Sequence, residues 1–191
     1  MEETVTSPQN GDVIDVLVAD HRDVTALIAN IRSVTDPMIR RDLTDTAISE
    51  LVRHAVAEEM YVYPVMKKYL PEGEKAVEHD IEEHKELEET MKRLEGLDVE
   101  TSEFVQALNR LEDLLADHVQ DEESEQFPEL RRRVPAEELT ELAGKVESAK
   151  KLAPTRPHPG APNSELFHKL VGPGVGLVDR LRDKLTGRAT K

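Results

Sequence analysis

Four histidines and two glutamates in this chain fall at spacings that could hold metal ions. His54 is followed four residues later by Glu58, and His118 by Glu122, while His21 and His84 stand alone. The surroundings are duplicated. His54 to Pro64 and His118 to Pro128 both read His-x3-Glu-Glu-x4-Pro, with an aromatic just before the proline. Asp20-His21-Arg22-Asp23-Val24 and Glu83-His84-Lys85-Glu86-Leu87 both read acid-His-base-acid-aliphatic. The offsets agree, at 63 residues for the lone histidines and 64 for the longer motifs. Two helical hairpins of similar sequence are implied, each bringing one lone histidine and one His-x3-Glu.

A His and a Glu four apart lie on one helix face, about 6 Å apart along the axis. In each helix they fall on the apolar stripe, so folding the hairpins together buries four imidazoles and two carboxylates. Carboxylates buried close together repel and must take up protons unless cations meet them. Mixed imidazole and carboxylate donors suit first-row divalent metals, iron above all. Two pseudo-symmetric halves suggest two metals, each taking two histidines, with Glu58 and Glu122 bridging. One lone histidine is commonly a hydrogen-bonded core residue, but a duplicated set would need four separate accidents. The adjacent acids Glu59 and Glu123 are alternatives if the helix is rotated or bulged; the i+4 acids are favoured. Pro64 and Pro128 read as helix kinks.

These residues need long helices to position them. Ile14, Leu17, Val18, His21, Val24, Ile28 and Ile31 follow helical spacing, broken at Asp36-Pro37. A second helix is expected from about Ile39 to Tyr69, ended by Pro71-Glu72-Gly73. A third runs from about Glu74 to Leu94 with Gly96 after it, and a fourth from an N-cap at Thr101 or Ser102 to about Arg133. No strand-like alternation of useful length appears. The expected fold is all-α, an up-down four-helix bundle over residues 12–133. Residues 134–153 hold a fifth, more polar helix. Residues 154–191 begin with a Pro-rich stretch, read as a stiff linker, and end in a basic amphipathic tail, read as loosely held. That tail carries seven Lys/Arg against three Asp/Glu, which makes it +4 on a body of −19.

Composition closes off other chemistries. With 40 acidic and 25 basic residues the formal charge is −15, and aromatics are 3%. Such a chain lacks the basic footprint and the stacking platform of a nucleic-acid binder. No cysteine is present, which excludes disulfides, thiolate zinc sites, iron–sulfur clusters and cysteine nucleophiles. Apolar runs are only a few residues long, so no membrane span is expected, and the acidic, polar start does not read as a signal peptide. A cytoplasmic location is the expectation. No zinc-protease motif, P-loop or Gly-x-Gly-x-x-Gly occurs. The only Glu-x-x-His is Glu165 to His168, alone in the tail, which argues against a ferritin-type centre.

The four-station pattern His…His-x3-Glu…His…His-x3-Glu over about residues 12–133 resembles the hemerythrin-like, HHE cation-binding family. Glu58 to Pro64 and the Pro/Gly-rich segments near the C-terminus are similar to actinobacterial members. The resemblance implies a four-helix bundle around two non-haem iron ions with an oxo or hydroxo bridge. The family's oxygen carriers present His-x3-His in the third helix, where this chain has Asp80 and His84, so it is one histidine short. His79 lies one residue off, turned away by about 100°, and reads as solvent-facing. Asp80, Tyr61 (seven residues after His54) and its counterpart Glu125 are candidates to complete the site. Tyr61 reads either as a catalytic or coordinating group or as a core aromatic with its hydroxyl satisfied. Any of the three as an anion would favour ferric iron. That favours redox processing of peroxide, dioxygen or nitric oxide over reversible oxygen carriage. The alternative is an oxygen or iron sensor, carrier or buffer without turnover. The expected partner is a small diatomic or peroxide ligand, with neither nucleic acid nor membrane.

Overall fold

The computed structural model describes residues 11–160, 175–176, 178–179 and 183–184. Among these the chain is helical, with no strand, and no helix is long and apolar enough to cross a membrane. Helix α1 spans Val13–Ser33 and α2 Pro37–Ala57. A π-helical turn, Glu58–Val62, joins α2 to α3, Tyr63–Tyr69. The second hairpin repeats the plan: α4 spans Gly73–Gly96, α5 Ser102–Asp121, a π turn Glu122–Gln126, and α6 Phe127–Arg133. Helix α7, Ala136–Leu152, packs on α1 and α2.

Local chemistry sets the ends. Asp12 caps α1 in a reciprocal box with Asp15. Asp36 caps α2 with Pro37 in its first turn, so the pair expected only to break one helix starts the next. Thr101 caps α5. Arg41 donates to the carbonyls of Leu94 (3.2 Å) and Leu97 (2.5 Å), placing a cation at the C-terminal end of α4. At Gly73 a Cβ would overlap the Met66 carbonyl, so only glycine lets α4 start this close to α3.

The core has two apolar layers. Ile14, Leu17, Met66, Val77 and Phe127 belong to one, which α7 extends; Val24, Ile28, Ile48, Leu94 and Phe104 belong to the other. Full burial of each such side chain contributes roughly 1.5–3 kcal/mol. Between the layers lies one polar stratum, crossed on α1 by His21 between Leu17 and Val24.

The Pro-rich segment, read as a stiff linker, is packed where it is described. Thr155 is buried and donates to Asp183 (2.5 Å), and Arg156 joins Asp183 (2.6 Å) to Glu95 of α4 (3.2 Å). His158 pairs with Asp179 at 2.9 Å. The remainder of the amphipathic tail lies outside the described residues.

Candidate metal centre

His21 on α1, His54 on α2, His84 on α4 and His118 on α5 all turn inward into the polar stratum, each no more than 4% exposed. They meet as two pairs. The Nε2 atoms of His21 and His54 are 3.1 Å apart, and those of His84 and His118 are 3.3 Å apart. Glu58 and Glu122, both with no exposed surface, stand between the pairs. Glu58 Oε2 lies 3.2 Å from His54 Nε2 and 3.5 Å from His84 Nε2. Glu122 Oε2 lies 3.2 Å from His21 Nε2 and 3.5 Å from His118 Nε2. The six donors close a ring in which each carboxylate touches one histidine of each pair.

These distances are within reach of a hydrogen bond, yet no carboxylate oxygen of Glu58 or Glu122 has a hydrogen-bond partner. Donor atoms that approach to 3.2 Å without pointing at one another are arranged to point at something between them. Four orphaned carboxylate oxygens in a core would be costly. Divalent cations of the N/O-binding class would remove that cost. Two donor sets are close enough to surround an ion, His21, His54, Glu58 and Glu122 in one and Glu58, His84 and His118 in the other, with all donor atoms of each set within 4.8 Å.

Each imidazole also has a carboxylate on its outer nitrogen. His21 Nδ1 meets Glu123 at 2.8 Å, His54 Nδ1 meets Asp20 at 3.3 Å, His84 Nδ1 meets Glu59 at 3.0 Å, and His118 Nδ1 meets Glu83 at 2.8 Å. An Nδ1–H donated outward leaves the Nε2 lone pair facing the centre, the carboxylate–histidine–metal arrangement. The partners are crossed between helices: the acid beside His21 serves His54, and the acid beside His84 serves His118. The doubled glutamates therefore divide their work, the first facing inward and the second holding a ring from outside. The acids beside each histidine were visible in the duplicated motifs; their role depends on which helix lies opposite. Burial alone would depress His54, but Glu58 and Asp20 outweigh it and raise it to about 10. Likewise burial pushes Glu58 up, and the His54 and His84 rings overcome this and hold it well below the usual carboxylate range.

The π turns explain why two consecutive glutamates both reach the stratum. Tyr63 N–H donates to Glu58 O and Phe127 N–H to Glu122 O, five residues back. Pro64 and Pro128 follow immediately, and a proline offers no N–H to the carbonyl four residues earlier while its ring crowds that carbonyl. The turn widens instead of closing as an α-turn. The prolines are thus part of the site's construction as well as kinks.

The extra residue per turn also changes which aromatic faces the centre. Tyr61 is half-buried and packs against the α7-side core layer; it is not brought into the cluster. Its counterpart Glu125 is exposed. Positions 63 and 127 take the inward place. The Tyr63 ring stacks on His84 at 5.6 Å, its hydroxyl 3.1 Å from His84 Nε2, and Phe127 stacks on His21 at 5.9 Å. Burial, then the charges of Glu58 and Asp80, push the Tyr63 phenol well above its ordinary value, so it keeps its proton. Asp80 has no exposed surface and accepts from the Gln126 amide at 2.9 Å. Burial raises it to about 7, against the Gln126 hydrogen bond and with help from the Glu122 charge. His79 is 57% exposed and sits between Glu83 and Asp121, 3.4 Å from each.

The hemerythrin HHE cation binding domain family matches residues 12–130, which takes in all six donors. An uncharacterised hemerythrin-like protein of Schizosaccharomyces pombe is 33% identical over 174 residues, 91% of this chain and 86% of that protein. A DNA nickase of Nostoc is 27% identical over 142 residues, 74% of this chain but 40% of the nickase. No solved structure matches the chain. With the family matched across most of its length, and a relative aligned nearly end to end, this chain belongs to the hemerythrin HHE cation-binding family of metal-binding helical domains.

Proposed function

We propose that the polar stratum holds two iron ions and processes peroxide, dioxygen or nitric oxide by redox chemistry. His21 and His54 would hold one ion and His84 and His118 the other, with Glu58 and Glu122 shared. The observation that carries this reading is the set of four buried glutamate oxygens without a hydrogen-bond partner among four Nε2 atoms. When bound, such irons supply one-electron steps and an open position for a small oxidant.

The chain's own groups make the two sides of the stratum unequal. The four outer carboxylates orient the rings and raise their basicity. On the His84 side, Tyr63 keeps its O–H and offers a proton at a buried position beside Nε2. Asp80, standing where the family's oxygen carriers have a histidine, adds a carboxyl poised at about 7 near Glu122. Two proton-bearing groups on one side suit peroxide disproportionation, in which one peroxide takes up two protons and two electrons to give water while a second peroxide supplies them and leaves as dioxygen. The apolar layers above and below exclude bulk water. The nickase's action on DNA is not extended to this chain, whose −15 charge is opposed to a phosphate backbone.

A metal count with an absorption spectrum tests the centre, and oxygen evolution from added peroxide tests the chemistry. Two irons per chain with turnover is the expected result. A protein that binds and releases oxygen over many cycles without autoxidation would be a carrier and would overturn the redox reading.

A further inference from the structure

We propose that the outer face between α4 and α5 is a metal-entry route, in which His79, Asp121, Glu83 and Asp80 pass a divalent first-row ion from solvent to the His84/His118 pair. This rests on the reading of the buried cluster as a metal centre and adds how that centre is filled. Three donor groups overlap like steps. At the surface, His79 Nε2 lies 3.4 Å from Glu83 Oε1 and 3.4 Å from Asp121 Oδ2, with the His79 and Asp121 side chains 57% and 46% exposed. Further in, Asp80, Glu83 and His118 each bring a donor atom within 4.8 Å of the other two. Innermost, Glu58, His84 and His118 do the same. Glu83 belongs to the first two steps, since Oε1 faces His79 while Oε2 meets His118 Nδ1 at 2.8 Å. His118 belongs to the last two.

The middle step carries an independent sign of a ligand. Asp80 has no exposed surface, and its Oδ2 has no hydrogen-bond partner. Buried carboxylate oxygens without a donor are uncommon and call for a partner that the fold itself does not supply. Imidazole and carboxylate suit first-row divalent ions at every step. The surface step offers only three donors and open solvent, so an ion held there exchanges readily.

The duplicated architecture supplies the control. Shifted back by the repeat offset, His79, Asp80 and Asp121 correspond to Val16, Leu17 and Ala57, all apolar, the last two in the core layer and Val16 packed against it. Asp20, the counterpart of Glu83, is met from outside by Lys150 Nζ at 2.5 Å. One half meets its outer carboxylate with a lysine; the other surrounds the same place with a histidine and a second carboxylate.

The test is the rate at which the metal-free full chain takes up Co²⁺, followed by absorption, with the final metal content measured separately. His79→Ala and Asp121→Asn are expected to load about tenfold more slowly, the low end of what losing a supporting ligand does, yet to end at two ions. Glu112→Gln, an equal charge loss at the exposed partner of Arg32 on the α5 surface, is expected to load at the wild-type rate. Wild type and both variants loading at one rate, with two ions bound, would overturn the route and leave the centre standing. Equal slowing by Glu112→Gln would reduce the effect to charge steering and also overturn it. A variant that ends with fewer than two ions would make its residue part of the resident site instead. Wild type binding no ion would overturn the centre and the route together.

Discussion

The two hairpins share a duplicated motif and differ in chemistry. In the first, Leu17 and Val62 lie in an apolar core layer, and the ring stacked on its His21 is Phe127, reaching across from the second hairpin. In the second, the matching positions hold Asp80 and Gln126, and the ring stacked on its His84 is Tyr63, reaching across from the first hairpin, so that a buried carboxyl, an amide and a phenol are added. The outer shell differs as well. The first π turn buries four of its five residues, while the second exposes Glu123, Ser124 and Glu125. The lesson is that duplication preserved the six inward-facing donors and varied what surrounds them. Donors must converge from four helices at once, so a change in one disturbs all. A surrounding position touches one side only and can diverge.

The largest effect is expected from breaking what the halves share. His54→Ala or His118→Ala should lose bound metal and about 3–5 kcal/mol of stability, because a glutamate and an outer carboxylate are left buried without their partner. Metal analysis and denaturant unfolding check this; both variants keeping two ions and an unchanged midpoint would dismiss the ligand assignment. Next comes the phenol. Tyr63→Phe copies the Phe127 side onto the His84 side. It should keep two metals and reduce peroxide turnover by about 10²-fold, at the low end for loss of a positioned acid. If turnover is unaltered, Tyr63 only packs. The reverse change, Phe127→Tyr, should not raise turnover and should cost about 1–3 kcal/mol if its hydroxyl finds no partner.

Smaller effects concern the buried polar pair. Asp80→Leu, copying Leu17, leaves the Gln126 amide without its acceptor and should cost about 1–3 kcal/mol. Adding Gln126→Val, copying Val62, should recover most of that loss. A double variant no more stable than the single would show that the pair does not act as a unit.

The smallest comparison lies at the helix starts. In the first half Asp12 caps α1 and takes two hydrogen bonds from Arg131, each 2.9 Å. In the second, Lys67 and Glu74 hold only an exposed 3.3 Å ion pair, and α4 has no side-chain cap. Asp12→Ala should cost about 1 kcal/mol, and Lys67→Ala less than about 0.5 kcal/mol. The Asp12 effect should depend on pH. Arg131 and the capped amides outweigh the burial penalty and hold Asp12 below its ordinary 3.8. Its contribution is therefore present above that value and lost as pH falls through the lower folded one. A difference between wild type and variant that persists in strong acid would contradict this origin.

Much of the centre was legible without coordinates. A helix returns to one face every three to four residues, so His54 with Glu58 and His118 with Glu122 had to share a face. An apolar stripe running through each histidine had to carry it inward. The duplication then required the faces to meet as two similar halves. The course of helix α7, Ala136–Leu152, followed from its own pattern in the same way.

What a single helix cannot express was decided only in the tertiary structure. The π turns are paid for by packing and ligand-like donors from other helices, and they replace Tyr61 and Glu125 at the inner face by Tyr63 and Phe127; a constant 100° step per residue cannot foresee that. The crossing of Asp20 to His54 and of Glu83 to His118 depends on which helix lies opposite, information that no local spacing contains. The packing of Thr155 and Arg156 against Asp183 and Glu95 likewise joins residues far apart along the chain, where a Pro-rich composition speaks only of local stiffness. Periodicity determines the face a residue presents; the partner it meets there is set by the approach of elements distant in sequence.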